Sequence, residues 1–176
     1  MIQTLTNNAE KKERNKMTNT NLTQQNTLTQ IETFYDEAKK KVKERYFVDK
    51  NYLRQGLYEL FYENGQLKGR CTYKNGELDG LDELFYKDGQ PSIRCTYKDG
   101  RLDGLYESFW ENGNIEIKCT YKNGKKNGFY ERFFENGQLE VRRTFIDNRR
   151  EGLCEVFYED GEVKSKGSYK NNIYIF

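Results

Sequence analysis

From Gly56 to the end of the chain, strand-like runs of aromatic and aliphatic side chains with interspersed charges are each closed by a glycine that follows Asn or Asp in most cases. In the first unit residues 57–63 read Leu-Tyr-Glu-Leu-Phe-Tyr-Glu and stop at Asn64-Gly65. Residues 66–74 follow and stop at Asn75-Gly76, and a short link leads to Gly80. Asn-Gly between two such runs predicts a hairpin, because a type I′ turn needs positive φ at both central residues.

The unit recurs every 24 residues, at Gly56, Gly80, Gly104, Gly128 and Gly152. A second series runs through Gly65, Gly89, Gly113, Gly137 and Gly161, and a third through Gly76, Gly100 and Gly124, continued by Asn148 and Asn172. A fixed period of this length means repeated supersecondary elements that bury their apolar faces by stacking on neighbours. The predicted architecture is all-β: an elongated single-layer antiparallel meander of about five 24-residue hairpins, hence about ten strands, over residues 48–176. Residues 48–56 read as the tail of a degenerate preceding unit.

A two-residue turn at Asn64-Gly65 sets Glu63 opposite Gln66, Tyr62 opposite Leu67 and Glu59 opposite Arg70. The same register gives Glu83–Arg94, Glu107–Lys118, Glu131–Arg142 and Glu155–Lys166, an acid facing a base in every unit. Such pairs contribute a few tenths of a kcal/mol each and fix register. The series Phe61, Phe85, Phe109, Phe133 and Phe157 falls on the same face. The opposite face is assigned Tyr58, Tyr106 and Tyr130, with Asp82 and Cys154 as exceptions, and the row Tyr62, Tyr86, Trp110, Phe134 and Tyr158. Leu67, Ile115, Leu139 and Val163 are assigned to that face as well. Equivalent residues lie two strands, or about 10 Å, apart. A single-layer sheet cannot cover both faces, so Tyr62, Tyr86, Trp110, Phe134 and Tyr158 become the candidate contacts for a protein partner.

Ahead of the array, Thr29 and Glu32 form a capping-box pattern, and Ile31, Phe34, Tyr35, Ala38, Val42 and Tyr46 fall at helical spacing. The expectation is one amphipathic helix over 29–47 behind a disordered tail over 1–28, whose Asn, Thr, Gln and Lys show no hydrophobic period. Met17 is an alternative start.

The 26 aromatics (14 Tyr, 11 Phe and 1 Trp) separate this polar chain from a disordered one. Residues 1–55 carry 11 Lys/Arg against 7 Asp/Glu, and residues 56–176 carry 19 against 21. The repeats are therefore not a basic body, which argues against nucleic acid as a partner. No stretch resembles a membrane span or a secretion signal, so the expected location is cytoplasmic. Residue usage fits an AT-rich bacterial genome.

The pattern G-[LF]-x-E-x-F-[YWF]-x-[ND]-G, followed by [CRG]-[TS]-[YF] and an Asn/Asp-Gly turn, resembles the MORN repeat in its bacterial variant form, over roughly residues 48–176. The resemblance implies an elongated antiparallel sheet of stacked hairpins. For bacterial relatives it implies an antitoxin that binds a cognate toxin. Others bear a phosphatidylinositol-phosphate kinase name, which carries a lipid-binding expectation. This chain departs from the standard repeat in lacking histidine and the close glycine spacing at the end of each unit.

With no histidine, Ser-His, Cys-His and His-metal sites are excluded, and neither a phosphate-binding loop nor a kinase motif occurs. Cys71, Cys95 and Cys119 share the period, but on alternate strands they stand about 10 Å apart, too far for a disulfide and poorly convergent for zinc. Asp79-Gly80 and Asp103-Gly104 read as turn chemistry and lack the spacing of a calcium loop. The expected function is a non-enzymatic scaffold for protein–protein interaction, without cofactor. Peripheral membrane or phosphoinositide binding is the alternative, motivated by the family name and by the basic helix.

Overall fold

The two glycine breaks of each unit fold as two different turns. At the second break Asn75 and Gly76 take φ of 53° and 84°, and Lys74 pairs directly with Glu77, which is the type I′ geometry. At the first break only Gly65 takes positive φ, 87°. Its N–H donates to Tyr62 O at 2.9 Å, Tyr62 N–H donates to Gln66 O at 2.8 Å, and Asn64 Oδ1 accepts from Gln66 N–H at 3.0 Å. The connection thus has three residues, and the expected facings of Glu63 with Gln66 and Tyr62 with Leu67 are corrected: Leu67 faces Phe61. The extra residue, Lys68, forms a β-bulge that restores Glu59 opposite Arg70. Directly opposed residues share a face. Leu67, Ile115, Leu139 and Val163 therefore lie with the Phe61 series and not with the Tyr62 row.

The computed structural model describes residues 27–175. They form one 13-stranded antiparallel sheet with its strands side by side in chain order. These are β1 (Thr29–Phe34), β2 (Val42–Val48), β3 (Arg54–Phe61), β4 (Leu67–Lys74), β5 (Glu77–Phe85), β6 (Pro91–Lys98) and β7 (Arg101–Phe109). After them come β8 (Ile115–Lys122), β9 (Lys125–Phe133), β10 (Leu139–Ile146), β11 (Arg149–Phe157), β12 (Val163–Lys170) and β13 (Ile173–Ile175). Strands β3 to β12 are the five expected hairpins, and no helix occurs among the described residues. The tail expected over 1–28, and the alternative start at Met17, lie outside those residues except for Thr27 and Leu28.

The expected helix over 29–47 is replaced by the hairpin β1–β2. Its turn is closed by Asp36, whose carboxylate accepts from the N–H groups of Lys40 and Lys41 at 3.0 Å. The physical reason is the open edge of β3. A strand laid there satisfies a row of backbone donors and acceptors that a helix would leave bare. It also pairs Tyr46 with Tyr58 and Arg45 with Glu59.

Gly80, Gly104, Gly128 and Gly152 each mark a further bulge, where three residues of one strand oppose one threonine of the preceding strand. At Gly80 φ is 117°, and Thr72 Oγ1 donates to Asp79 O at 2.5 Å in the space a Cβ would fill. Glycine is required there by backbone conformation and by room together.

Candidate functional site

Twelve charged residues line up across twelve adjacent strands, each directly opposite the next. They run Glu32, Arg45, Glu59, Arg70, Glu83, Arg94, Glu107, Lys118, Glu131, Arg142, Glu155 and Lys166, strictly alternating in sign. All five acid–base pairs of the sequence register are neighbours in this ladder, which extends the pattern through Arg45 and Glu32. Its bonds include Arg45 Nε to Glu32 at 2.8 Å, Arg142 Nε to Glu131 at 2.9 Å and Lys166 Nζ to Glu155 at 2.8 Å. Glu83 is the best buried member. Burial raises its pKa, but bonds from Arg70 and Arg94 more than offset this and leave it below the ordinary glutamate value. The charges are consumed by one another, so the ladder fixes register rather than attracting a charged ligand.

On the same face, two residues before each ladder glutamate of the array, stands an apolar row. Leu57, Leu81, Leu105 and Phe129 are 42, 44, 40 and 55% exposed. Between them lie Thr72, Thr96, Thr120 and Thr144 on the neighbouring strands. The row is a flat strip of large side chains at a two-strand pitch, about 10 Å. Its signal was present in the sequence, in the [LF] that follows each glycine of the first series.

The predicted contact row takes a different place. Tyr62, Tyr86, Trp110, Phe134 and Tyr158 stand beside the three-residue loops, on one rim of the sheet. The first four are half-buried, and Tyr158 is exposed. Their polar tips join neighbouring units. Tyr62 Oη donates to Phe85 O at 2.7 Å, Tyr86 Oη to Phe109 O at 2.5 Å and Trp110 Nε1 to Phe133 O at 3.2 Å. Tyr35 Oη does the same to Phe61 O at 2.7 Å. Lys68 Nζ stands 5.6 Å from the ring centre of Tyr62, and Lys164 Nζ 5.4 Å from that of Tyr158.

On the opposite face the central row runs Tyr46, Tyr58, Cys71, Asp82, Cys95, Tyr106, Cys119, Tyr130, Arg143 and Cys154, each opposite the next. The four cysteines are free and 3–8% exposed. Cys71, Cys95 and Cys119 sit on alternate strands, the register expected from hairpins. Burial pushes the Cys71 thiol up to about 11 and Cys95 to about 12, with Asp82 adding to both. Such thiols stay protonated and inert at neutral pH. Rings flank the row: Tyr58 meets Tyr73 at 5.9 Å, Tyr106 meets Tyr121 at 6.0 Å and Tyr130 meets Phe145 at 6.0 Å. This aromatic–thiol strip is the nearest approach to a core. Asp82 occupies a tyrosine slot in it, held above the usual carboxylate range by burial, with the Cys95 thiol as its hydrogen-bond partner.

At the type I′ rim the carboxylates expected to be turn chemistry act as such. Asp103 Oδ2 accepts from Asn123 N–H at 2.9 Å, and Glu151 Oε2 accepts from Asn171 N–H at 2.7 Å. Backbone bonds such as Gly124 N–H to Leu102 O at 2.7 Å tie each turn to the preceding one. No group of three or more His, Cys, Asp or Glu side chains placed to hold a metal occurs among the described residues. Nor does any helix there have the length and apolarity to cross a membrane.

No curated protein sequence matches this chain. The MORN repeat variant profile matches residues 54–75, 102–123, 126–147 and 150–171, and passes over the unit that carries Asp82 and Pro91. Four matched repeats, covering half the chain and coinciding with the hairpins β3–β4, β7–β8, β9–β10 and β11–β12, place this protein in the MORN repeat variant family.

Proposed function

We propose that this chain is a non-enzymatic repeat scaffold that holds a protein partner along its sheet. The observation that carries this reading is the exposed row of Leu57, Leu81, Leu105 and Phe129 on a face whose charges are already paired. Regularly spaced apolar side chains on a rigid strip offer contact area with little ordering cost. The ring faces of Tyr62, Tyr86, Trp110, Phe134 and Tyr158 extend the contact surface toward the loop rim.

The finer form of the proposal is an antitoxin that binds its toxin in the cytoplasm. It is supported by the resemblance to bacterial relatives, and the buried, unpaired thiols suit a reducing compartment. The phosphoinositide alternative keeps the support of the family name but not of a basic amphipathic helix, since the hairpin β1–β2 occupies those residues.

Affinity purification from native cells with the full-length chain, followed by mass spectrometry, tests the proposal. A specific protein is expected, with at least about tenfold lower recovery by Leu105→Glu or Phe129→Glu at unchanged melting temperature. Recovery unchanged in both variants would remove this face from the interface.

A further inference from the structure

The fourth and fifth hairpins differ from the earlier ones on the aromatic–thiol face. The slot filled by Cys71, Cys95 and Cys119 holds Arg143, and the slot filled by Leu78 and Leu102 holds Lys126 and then Arg150. The sheet does not need cations there, since the second and third units pack with cysteine and leucine at those slots. Arg54 fills the leucine slot in the first unit, bonded to Tyr73 Oη at 3.3 Å, so cation-over-ring packing is a tolerated option at both ends. Arginine in the cysteine slot occurs once among the units.

The three cations lie on one face of the adjacent strands β9, β10 and β11, with Phe145 directly opposite Arg150 and beside Lys126. Lys126 Nζ stands 4.7 Å from the ring centre of Tyr130 and 5.6 Å from that of Phe145. Arg150 Cζ lies 5.3 Å from the Tyr169 ring, and its Nη1 donates to Tyr169 Oη at 3.4 Å. Arg143 stands between Tyr130 and Cys154, with its Nε buried and without a hydrogen-bond partner among the described residues. The ion pairs formed among those residues include none of the three. The nearby acids are engaged elsewhere: Glu140 with Arg132 at 3.2 Å and Glu116 with Ser108 Oγ at 3.1 Å.

We infer that Lys126, Arg143 and Arg150 form a binding site for the carboxylates of a short acidic protein segment. A partly desolvated guanidinium beside aromatic rings favours a planar carboxylate, which would give Arg143 Nε the acceptor it lacks after a small rotation of the side chain. A nucleic acid or an anionic membrane calls for cations spread along a track. Here they stop at three side chains on an almost neutral array, while the ladder bases are already paired. The inference rests on the protein-scaffold reading for the class of ligand, but it uses the opposite face from the Leu105 row.

The test is fluorescence anisotropy of labelled hexaglutamate on the full-length chain at about 50 mM salt, with hexaglutamine as control. Saturable binding of hexaglutamate alone is expected. The double variant Arg143→Cys/Lys126→Leu should weaken it at least about tenfold, and should keep the fold because it restores the residues of earlier units. Equal affinity in that variant, or no binding to the unaltered chain, overturns the site. Phosphatidylserine vesicles or a single-stranded oligonucleotide that bind through these residues in place of hexaglutamate overturn its assignment to carboxylates. Leu105→Glu should leave peptide affinity unchanged, so failure of this site and failure of the partner face are separate results.

Discussion

Arg70 Nε donates to Glu83 Oε2 across 2.6 Å, and Arg94 from the other neighbouring strand donates to Oε1 of the same carboxylate at 3.1 Å. The carboxylate is 5% exposed while both arginines are about half in water, so the acid depends on its partners more than they depend on it. Glu83→Gln should cost about 1–3 kcal/mol at neutral pH. A glutamate whose folded pKa is lowered stabilises above its unfolded value, and that contribution is lost as pH falls through the folded value. The gap between variant and native chain in urea unfolding should therefore close between about pH 6 and about pH 3.

Asp82, the adjacent residue on the other face, behaves oppositely. Burial raises its pKa, so its contribution to stability is complete below the unfolded value and is lost as pH rises through the folded one. Asp82→Tyr restores the ring that neighbouring units carry. It should raise stability by about 1 kcal/mol at neutral pH, with a smaller gain near pH 4. Melting temperatures at the two pH values decide this.

Gly104→Ala and Gly89→Ala separate strain from steric overlap. Gly104, at φ 121°, leaves no room for a Cβ beside Thr96 Oγ1, whereas Gly89, at φ 90°, has open space around the same position. The Gly89 change should cost about 1 kcal/mol from backbone strain alone, and the Gly104 change at least about 2 kcal/mol. Equal losses would show that the threonine contact contributes nothing.

The thiols offer a readout of local opening. With Cys71 near 11 and Cys95 near 12, both buried, labelling by a thiol reagent at neutral pH should be at least about 100-fold slower in the folded chain than in denaturant.

Trp110 joins two hairpins through Nε1 and presents its ring at the loop rim. Trp110→Phe removes the bond to Phe133 O and part of the ring area, and should cost about 1–2 kcal/mol. Trp110→Ala should cost about 2–4 kcal/mol and reduce partner recovery further than Trp110→Phe. Identical recovery by both variants would limit Trp110 to its role between hairpins.

Much of the fold was legible because each unit states the same local rule five times. Turn residues, the glycine period and facing charges depend on neighbours within one hairpin, and Glu59–Arg70 through Glu155–Lys166 fall where the sequence puts them. The turn at Asn64-Gly65 reads as a two-residue turn because a three-residue loop with a bulge at Lys68 leaves the strand bodies in the same register. The candidate site was less legible. The Leu57 row and the Tyr62 row show the same periodicity, and only packing separates side chains exposed at 40–55% from rings whose tips are bonded to the next hairpin.

The sequence by itself determined the antiparallel hairpin unit, its 24-residue step and the acid–base register, because these follow from turn stereochemistry and pairing between residues close in the chain. Tertiary structure decided what happens where the repeat stops. Residues 29–47 are amphipathic at helical spacing, yet the unpaired backbone of β3 draws them into strands and carries the ladder on to Arg45 and Glu32. It also decided that Lys126, Arg143 and Arg150 share one face of three adjacent strands. Spacing alone does not reveal that placement, which arises from strand pairing across a bulge.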